Sequence, residues 1–424
     1  MNYRVNLFND QVSLENISLR LRDLLISNNI ISENDNVVSF CGVVFIQNET
    51  YLFFPRNMNI NCLDEASIRY QASHLLHAIH MYSNQTNGQL IYDGTREASV
   101  LGDSLLGIIF ELISDYLING LYSQKVILTK KNQGKIDWRK TINSSLSFFT
   151  ENGPIFFDTW GKKTLSQVNS EITKIHAKLI RFILDKFGWL FSVSPNELFK
   201  LFEIPEPIVD DSNYISILSL ELNLVFADRE IWLLNTLIKF LRIENLYSGQ
   251  PTVIGIKNFH SMWEHMLSNV LEYRVHLNHL MPVPAYNIVN NKKLMPAVKK
   301  SLRTDIILKN PCNNIYCIID AKYYSATTID SSPGWNDLVK QFFYAKALET
   351  IIHQDSEIRN VFVFPGTEQY LLSAHLIDRL TNTNLEDIFP AINCIYLSPS
   401  EVIDYYVSGR KLKTISDELI SKKL

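Results

Sequence analysis

The chain has 424 residues, 46% of them hydrophobic and 20% charged, with a formal net charge of −4. That length exceeds one ordinary hydrophobic core, so two domains, or one domain with an elaborated half, are expected. The composition excludes collagen-like and low-complexity classes, and the mild acidity excludes a protein that coats nucleic acid through bulk positive charge.

The start, MNYRVNLFNDQVSL, carries acidic and amide residues where a secretory leader needs an apolar stretch. No run of about 18 uncharged apolar residues follows it. The five cysteines, Cys41, Cys62, Cys312, Cys317 and Cys394, are odd in number and have no paired zinc or redox spacing. A cytoplasmic location is therefore expected, without export or membrane insertion.

The run VVSFCGVVFIQNETYLFFPRNM predicts two strands around an Asn48-Glu49 turn. Helices are predicted over residues 64–80 and 99–118, and a strand over 125–129. GKIDWRKTI sets Trp138 among charges of both signs, a pattern that suits either a macromolecular contact or a Trp-anchored surface turn. Further helices are predicted over residues 167–187 and 228–243, on either side of the Pro-bearing FEIPEPIVD. The second is apolar over much of its circumference, as a buried helix is. The helices after Gln167 read either as a partner-binding arm or as structural packing.

Gly249 and Pro251 interrupt the helical pattern, which places the expected division between residues 1–248, a mixed α/β and helical region, and residues 249–424. Beyond it the predicted order is helix, basic loop, strand, strand, helix, strand, helix, strand. That succession predicts an α/β domain with a central mixed sheet flanked by helices. Charge is uneven here. Residues 257–322 hold nine Lys or Arg against four Asp or Glu, and residues 290–303 hold Lys292, Lys293, Lys299, Lys300 and Arg303 with no acidic residue. Such a cluster is either a set of phosphate contacts or a solvated loop.

IYCIID, residues 315–320, is short, β-branched and aromatic, and reads as an inner strand. Alternation along it puts Asp320 and Lys322 on one side. DIIL, residues 305–308, precedes it across a short PCNN turn, so a hairpin would bring Asp305 beside Asp320. Two carboxylates on adjacent strands suit Mg2+, which takes oxygen ligands and keeps room for water and phosphate. Glu264 lies beside the helical apolar stripe of Phe259, Trp263, Met266, Leu267, Val270 and Leu271, as a third acidic ligand or as a solvated surface residue. Lys322 would orient or activate a water, or offset developing negative charge. In PGWNDLVKQFFYAKAL, Asn336 or Asp337 would cap a helix whose Gln341 and Tyr344 share a face. That face would brace the site and touch DNA phosphate, or satisfy core hydrogen bonds.

The ordered series WEHML (263–267), RTDIIL (303–308), IIDAKYY (318–324) and DLVKQFFY (337–344) resembles the PD-(D/E)xK nuclease superfamily, and within it the McrC-like, LlaJI-type restriction endonucleases. Two departures stand out. Thr304 precedes Asp305 where proline is often found, and Tyr344 follows Gln341 after three positions where relatives have four. FCGVVFIQNETYLFFPRNM and NGLYSQKVILTKKNQGKIDWRKTI extend the resemblance into the first half.

The resemblance implies a restriction-endonuclease-like domain over residues 249–424 and a partner-binding region over residues 1–248. It implies a metal-dependent endonuclease subunit that cuts double-stranded DNA, with catalytic Glu264, Asp305, Asp320, Lys322 and Gln341. Mg2+, with Mn2+ as a substitute, would sit on Glu264, Asp305 and Asp320. Lys292, Lys293, Lys299, Lys300, Arg303 and Tyr344 are candidate DNA-phosphate contacts. The sequence contains no G-x-x-x-x-G-K-[ST] run, so nucleotide hydrolysis, and with it sequence recognition, is expected on a McrB-like AAA+ NTPase partner. A standalone repair or replication nuclease and a non-catalytic scaffold with this fold are the competing readings. His74, His77 and His80 share a helical face but lack the glutamate of a zincin motif, so zinc is not expected.

Overall fold

Gly42 and Gly255 lie opposite each other in an antiparallel strand pair, and this contact reorganises the expected division of the chain. A Cβ on Gly255 would come within 2.3 Å of the Cys41 carbonyl oxygen, so only glycine lets the backbones approach this closely. The computed structural model describes residues 4–421 apart from residues 33, 47–48, 61–62, 87–98, 152, 168–169, 192–193, 244–250, 289–290 and 299–300.

The chain forms two units: Met1–Asp103 joined with Asn245–Leu424, and Ser104–Glu244. The expected line between residues 248 and 249 is therefore drawn differently. The sequence around Pro251 leads directly into an apolar strand, Thr252–Lys257, that completes a sheet begun in the first hundred residues.

In the first unit one sheet contains β1 (Arg4–Asn9), β2 (Phe40–Ile46), β3 (Glu49–Phe54), β4 (Ser99–Leu101) and β5 (Thr252–Lys257), in the order β1-β3-β2-β5-β4. The two predicted strands are β2 and β3; the turn residue Asn48 lies outside the described residues, as does Cys62. Phe40, Val44 and Phe53 are buried against α1 (Leu19–Ser27), whose Leu21 and Leu25 face them. The next helix, α2 (Glu65–Thr86), runs further than the predicted 64–80. Residues 99–101, expected to open a helix, form β4 instead, because Val100 pairs with Ile256 across the sheet; the helix itself is Asp103–Asn119.

The second sheet of this unit carries the motif strands. After α3 (His260–Val270) comes a hairpin, β6 (Ala285–Ile288) and β7 (Asn291–Pro296), where a basic loop was expected. Then follow β8 (Ile306–Lys309), β9 (Ile315–Ala321), α4 (Trp335–Glu349), β10 (Glu357–Pro365), β11 (Ser373–Ala374), β12 (Ile392–Leu397), α5 (Pro399–Ser408) and α6 (Lys413–Ile420). The sheet order is β8-β9-β10-β12-β11, parallel through β9, β10 and β12 and antiparallel at both edges. This is the mixed sheet flanked by helices that the sequence predicts. The predicted helix after β10 is absent from the described residues, and the chain closes on α5 and α6 rather than on a strand. Residues 366–391 form turns and the short β11, although Leu372, Leu376 and Leu380 recur at helical spacing, because Ser373 and Ala374 pair with β12.

In the second unit, Gln124–Lys131, Lys135–Ile136 and Trp160–Gln167 form a small antiparallel sheet that includes the predicted strand at 125–129. Helices Glu171–Phe187 and Asp228–Leu241 correspond to those predicted over 167–187 and 228–243. Leu233, Leu234, Leu237 and Phe240 bury one face of the latter, while Asp228, Ile231, Trp232, Asn235 and Lys239 are exposed, so the helix is one-sided rather than buried all round as its apolar circumference predicts. Trp138 opens the helix Trp138–Ser144 and is exposed.

Candidate active site

The hairpin register sets Ile306 opposite Ile319, so Asp305, one residue earlier, meets Asp320, one residue later. Tyr316, Ile318, Asp320 and Lys322 alternate onto one face of β9. Burial of β9 on both faces stiffens it, and its apolar run ends at Asp320, where the carboxylate emerges half-buried.

Asp305 Oδ2 accepts a hydrogen bond from the Ala321 backbone N–H at 2.9 Å. Burial, and then the neighbouring charges of Glu264 and Asp320, push the Asp305 carboxyl well above the usual carboxylate range. Glu264 therefore belongs to the same electrostatic neighbourhood. It projects from α3, which the buried Phe259, Trp263, Met266, Leu267 and Val270 hold against the unit's core.

Lys322 Nζ lies 2.8 Å from Asp320 Oδ2 and 2.7 Å from Asp337 Oδ1. Burial works to lower the pKa of this ammonium, but the charges of Asp320 and Asp337, with the Asp337 hydrogen bond, outweigh it and hold the pKa above its ordinary value. Lys322 is accordingly a fixed cation at neutral pH. The 2.8 Å ion contact at Asp320 Oδ2 lacks hydrogen-bond geometry, and that buried oxygen has no hydrogen-bond partner.

Asp337 was expected as a possible helix cap. The N-cap position of α4 is Gly334, with no side-chain cap bond, and Asp337 sits in the first turn with its carboxylate committed to Lys322. Its spacing of four from Gln341, which puts both on one helix face, is the sequence signal that would have joined it to the site. Gln341 is fully buried, and its Nε2 donates to the Val361 carbonyl at a long 3.4 Å, while its Oε1 has no partner. It clasps α4 to β10. Tyr344 packs among Ile307, Ile318 and Leu348.

Behind the motif, Tyr323 turns to the opposite face of the sheet. Its ring meets Phe259 at 5.2 Å and Trp263 at 6.1 Å, and its hydroxyl accepts from the Arg56 backbone N–H at 2.9 Å. Ser325 Oγ donates to Asn57 Oδ1, and Asn57 Nδ2 donates to the Pro365 carbonyl at 2.8 Å. The turn after β3 thus clamps the segment that follows Lys322. Nothing in the local sequence reveals this, because it depends on pairs 267 and 268 residues apart.

Of the basic candidates, Arg303 is exposed. Lys292 and Lys293 lie on β7, and Lys299 and Lys300 lie outside the described residues. Of the histidines, His74 pairs with Asp404 at 2.7 Å. Among the described residues no three His, Cys, Asp or Glu form a ready-made cation cage, and no helix is long and apolar enough to cross a membrane. The donor chemistry of Glu264, Asp305 and Asp320 nonetheless fits a hard divalent cation. All three are carboxylates, and the charges of Glu264 and Asp320 press on the buried Asp305, a repulsion that a divalent cation would relieve.

A family model described as LlaJI restriction endonuclease matches residues 40–399. The chain is 26% identical over 408 residues, 90% of its length, to a Bacillus subtilis (strain 168) protein described as the type II restriction enzyme BsuMI component YdjA, of which it covers 83%. A solved half-complex from a tetradecameric assembly of Thermococcus gammatolerans McrB AAA+ hexamers with bound McrC aligns over 96% of this chain and 99% of the solved chain, at 10% identity and a TM-score of 0.41.

Proposed function

The chain belongs to the LlaJI restriction endonuclease family, and from that premise we propose that it is the DNA-cleaving subunit of a multisubunit restriction system. The observation that carries this reading is the meeting of Asp305, Asp320 and Lys322 at one end of a rigid strand pair, with the charge of Glu264 reaching the same point. Its reaction is Mg2+-dependent hydrolysis of phosphodiester bonds in double-stranded DNA, with Mn2+ as a substitute.

Glu264, Asp305 and Asp320 would hold the cation. When bound, it supplies charge neutralisation at the phosphate and makes a water more acidic. The remaining work falls to side chains of this chain. Lys322 is a cation held beside the carboxylates, placed to balance negative charge as it develops on phosphate oxygens. Its raised pKa supports that role over general-base catalysis. Asp305 is oriented by the Ala321 N–H, and Gln341 keeps α4 on the sheet so that the Lys322 partners stay in place. Arg303, the lysines at 292, 293, 299 and 300, and Tyr344 would contact DNA phosphates.

Partner dependence is part of the proposal. The description of the Bacillus relative as a component supports a subunit role, and the McrC-like character of the motifs supports a McrB-like AAA+ NTPase that carries the nucleotide site and the sequence recognition. Within this chain, partner binding is proposed for residues 1–248.

The test is cleavage of methylated and unmethylated plasmid by the purified chain with Mg2+, with and without the NTPase and nucleotide, with Asp320→Ala as control. Cutting that requires the partner and disappears in the variant supports the whole reading. Variant-sensitive cutting by the chain alone leaves a nuclease but removes the partner dependence. Partner binding with no cutting under any condition overturns the catalytic assignment.

A further inference from the structure

We propose that Asp337 is a positioning residue that retains Lys322 at the site while Asp320 is given over to a cation. The inference rests on the proposed nuclease reading. Asp320 faces two incompatible demands. Its Oδ2 is 2.8 Å from the Lys322 ammonium, and the same carboxylate is the central candidate ligand for a divalent cation. An ammonium at that distance both occupies an acidic oxygen and repels an incoming cation.

Lys322 has a second anchor that resolves the conflict. Asp337 Oδ1 accepts a hydrogen bond from Lys322 Nζ at 2.7 Å, from the first turn of α4 rather than from the strand that carries the motif. Gln341, four residues on, ties that helix to β10 through the Val361 carbonyl, so the anchor is attached to the sheet by an independent contact. The Lys322 ammonium can therefore lean toward Asp337 when Asp320 turns to a cation, without leaving the site. Asp337 itself contributes no ligand in this account; it acts through Lys322.

A purely structural role for Asp337 predicts something different. An acidic residue in the first turn of a helix is favoured by the helix dipole, and losing it would lower thermal stability without touching cation affinity. A third role, plain attraction of a cation by one more nearby negative charge, would persist in the absence of Lys322. The three are separable by a double-mutant cycle.

The measurement is titration calorimetry of the full chain with Ca2+, an oxygen-seeking cation used without DNA, alongside thermal melting. Wild type, Asp337→Asn, Lys322→Ala and the double variant are compared. The expected result is Ca2+ binding about three- to tenfold weaker in Asp337→Asn, the net size of an ordinary intramolecular hydrogen bond, since the amide oxygen of that variant can still accept from the ammonium. Lys322→Ala should bind Ca2+ at least as tightly as wild type, and adding Asp337→Asn to it should change nothing. Equal affinity in wild type and Asp337→Asn, or the same loss with and without Lys322, overturns the proposal. The double variant removes both charges together and keeps the cycle informative if Asp337→Asn alone is unstable. Absence of any Ca2+ binding that Asp320→Ala abolishes would instead defeat the metal-site reading on which the proposal rests.

Discussion

The Tyr323 hydroxyl accepts a hydrogen bond from the backbone N–H of Arg56, 267 residues earlier in the chain, at 2.9 Å. The residue directly after Lys322 is thereby fixed by the amino-terminal sheet, with Cys41 Sγ 3.8 Å from the same hydroxyl and the Arg56 guanidinium 5.5 Å from the ring centre. A buried polar junction of this kind makes the amino-terminal sheet part of the scaffold of the candidate site.

A fragment beginning at residue 249 is expected to be insoluble or to lack cooperative melting. It would keep every candidate catalytic residue, yet β5 would lose both of its neighbours, β2 and β4, and Tyr323 would lose Arg56. Soluble expression with a sharp thermal transition would show that the carboxyl-terminal segment folds alone.

Asp305→Asn should abolish cleavage and raise stability together. The amide oxygen can still accept the Ala321 N–H, while the buried charge repelled by Glu264 and Asp320 is gone. The expected outcome is a higher unfolding midpoint at pH 8, read from denaturant melts. A loss of stability would mean that the charge is compensated by contacts other than these.

Asp10 predicts a falling stability with rising pH. Burial raises its carboxyl to about 6, against the attraction of Arg56. Because the folded state holds this proton more tightly than the unfolded chain, its contribution is fully present below about pH 4 and is lost as pH climbs through about 6, by roughly 2–3 kcal/mol. Subtracting the Asp10→Asn melting profile from that of wild type between pH 4 and 7 isolates this part; a flat difference would refute it.

His176 predicts the opposite trend in the second unit. Its Nδ1 accepts the Tyr122 N–H at 3.1 Å, which fixes a neutral ring, and burial lowers its pKa to about 4. The unfolded chain binds the proton first, so stability is lost as pH falls from about 6.5 toward 4. Chemical-shift titration of the His176 ring should show it neutral at pH 5.5; a protonated ring there would contradict the burial argument.

The motif strands were legible because their signals are local. An apolar run ending in Asp320, a partner run starting at Asp305 and a tight connection determine the hairpin, its register and the shared face of Asp320 and Lys322. Asp337 was visible only as a polar residue near a helix start, since its partner is a side chain on a strand and not a backbone N–H. The β5 pairing was hidden for a different reason. Gly249 and Pro251 read as a linker, and only the apposition of Gly255 with Gly42 reveals a strand belonging to a sheet that began more than two hundred residues earlier. Residues 99–101 were drawn into a helix by their neighbours, and only the long-range partner in β5 makes them extended.

The same sheet sets an order of events during synthesis. β2 and β3 leave the ribosome early, but the flank of β2 that receives β5 stays open until residue 257 has been made. The unit Ser104–Glu244 is contiguous and lies wholly between these two moments, so it can complete its fold while the first sheet still waits for its missing strand. For that interval the nascent chain displays an apolar, half-paired strand edge, which is the kind of surface holding chaperones protect and misassembly exploits. Slowed translation just before residue 252 would lengthen the exposure, and its cost would appear as aggregated chains rather than as reduced activity of the chains that fold.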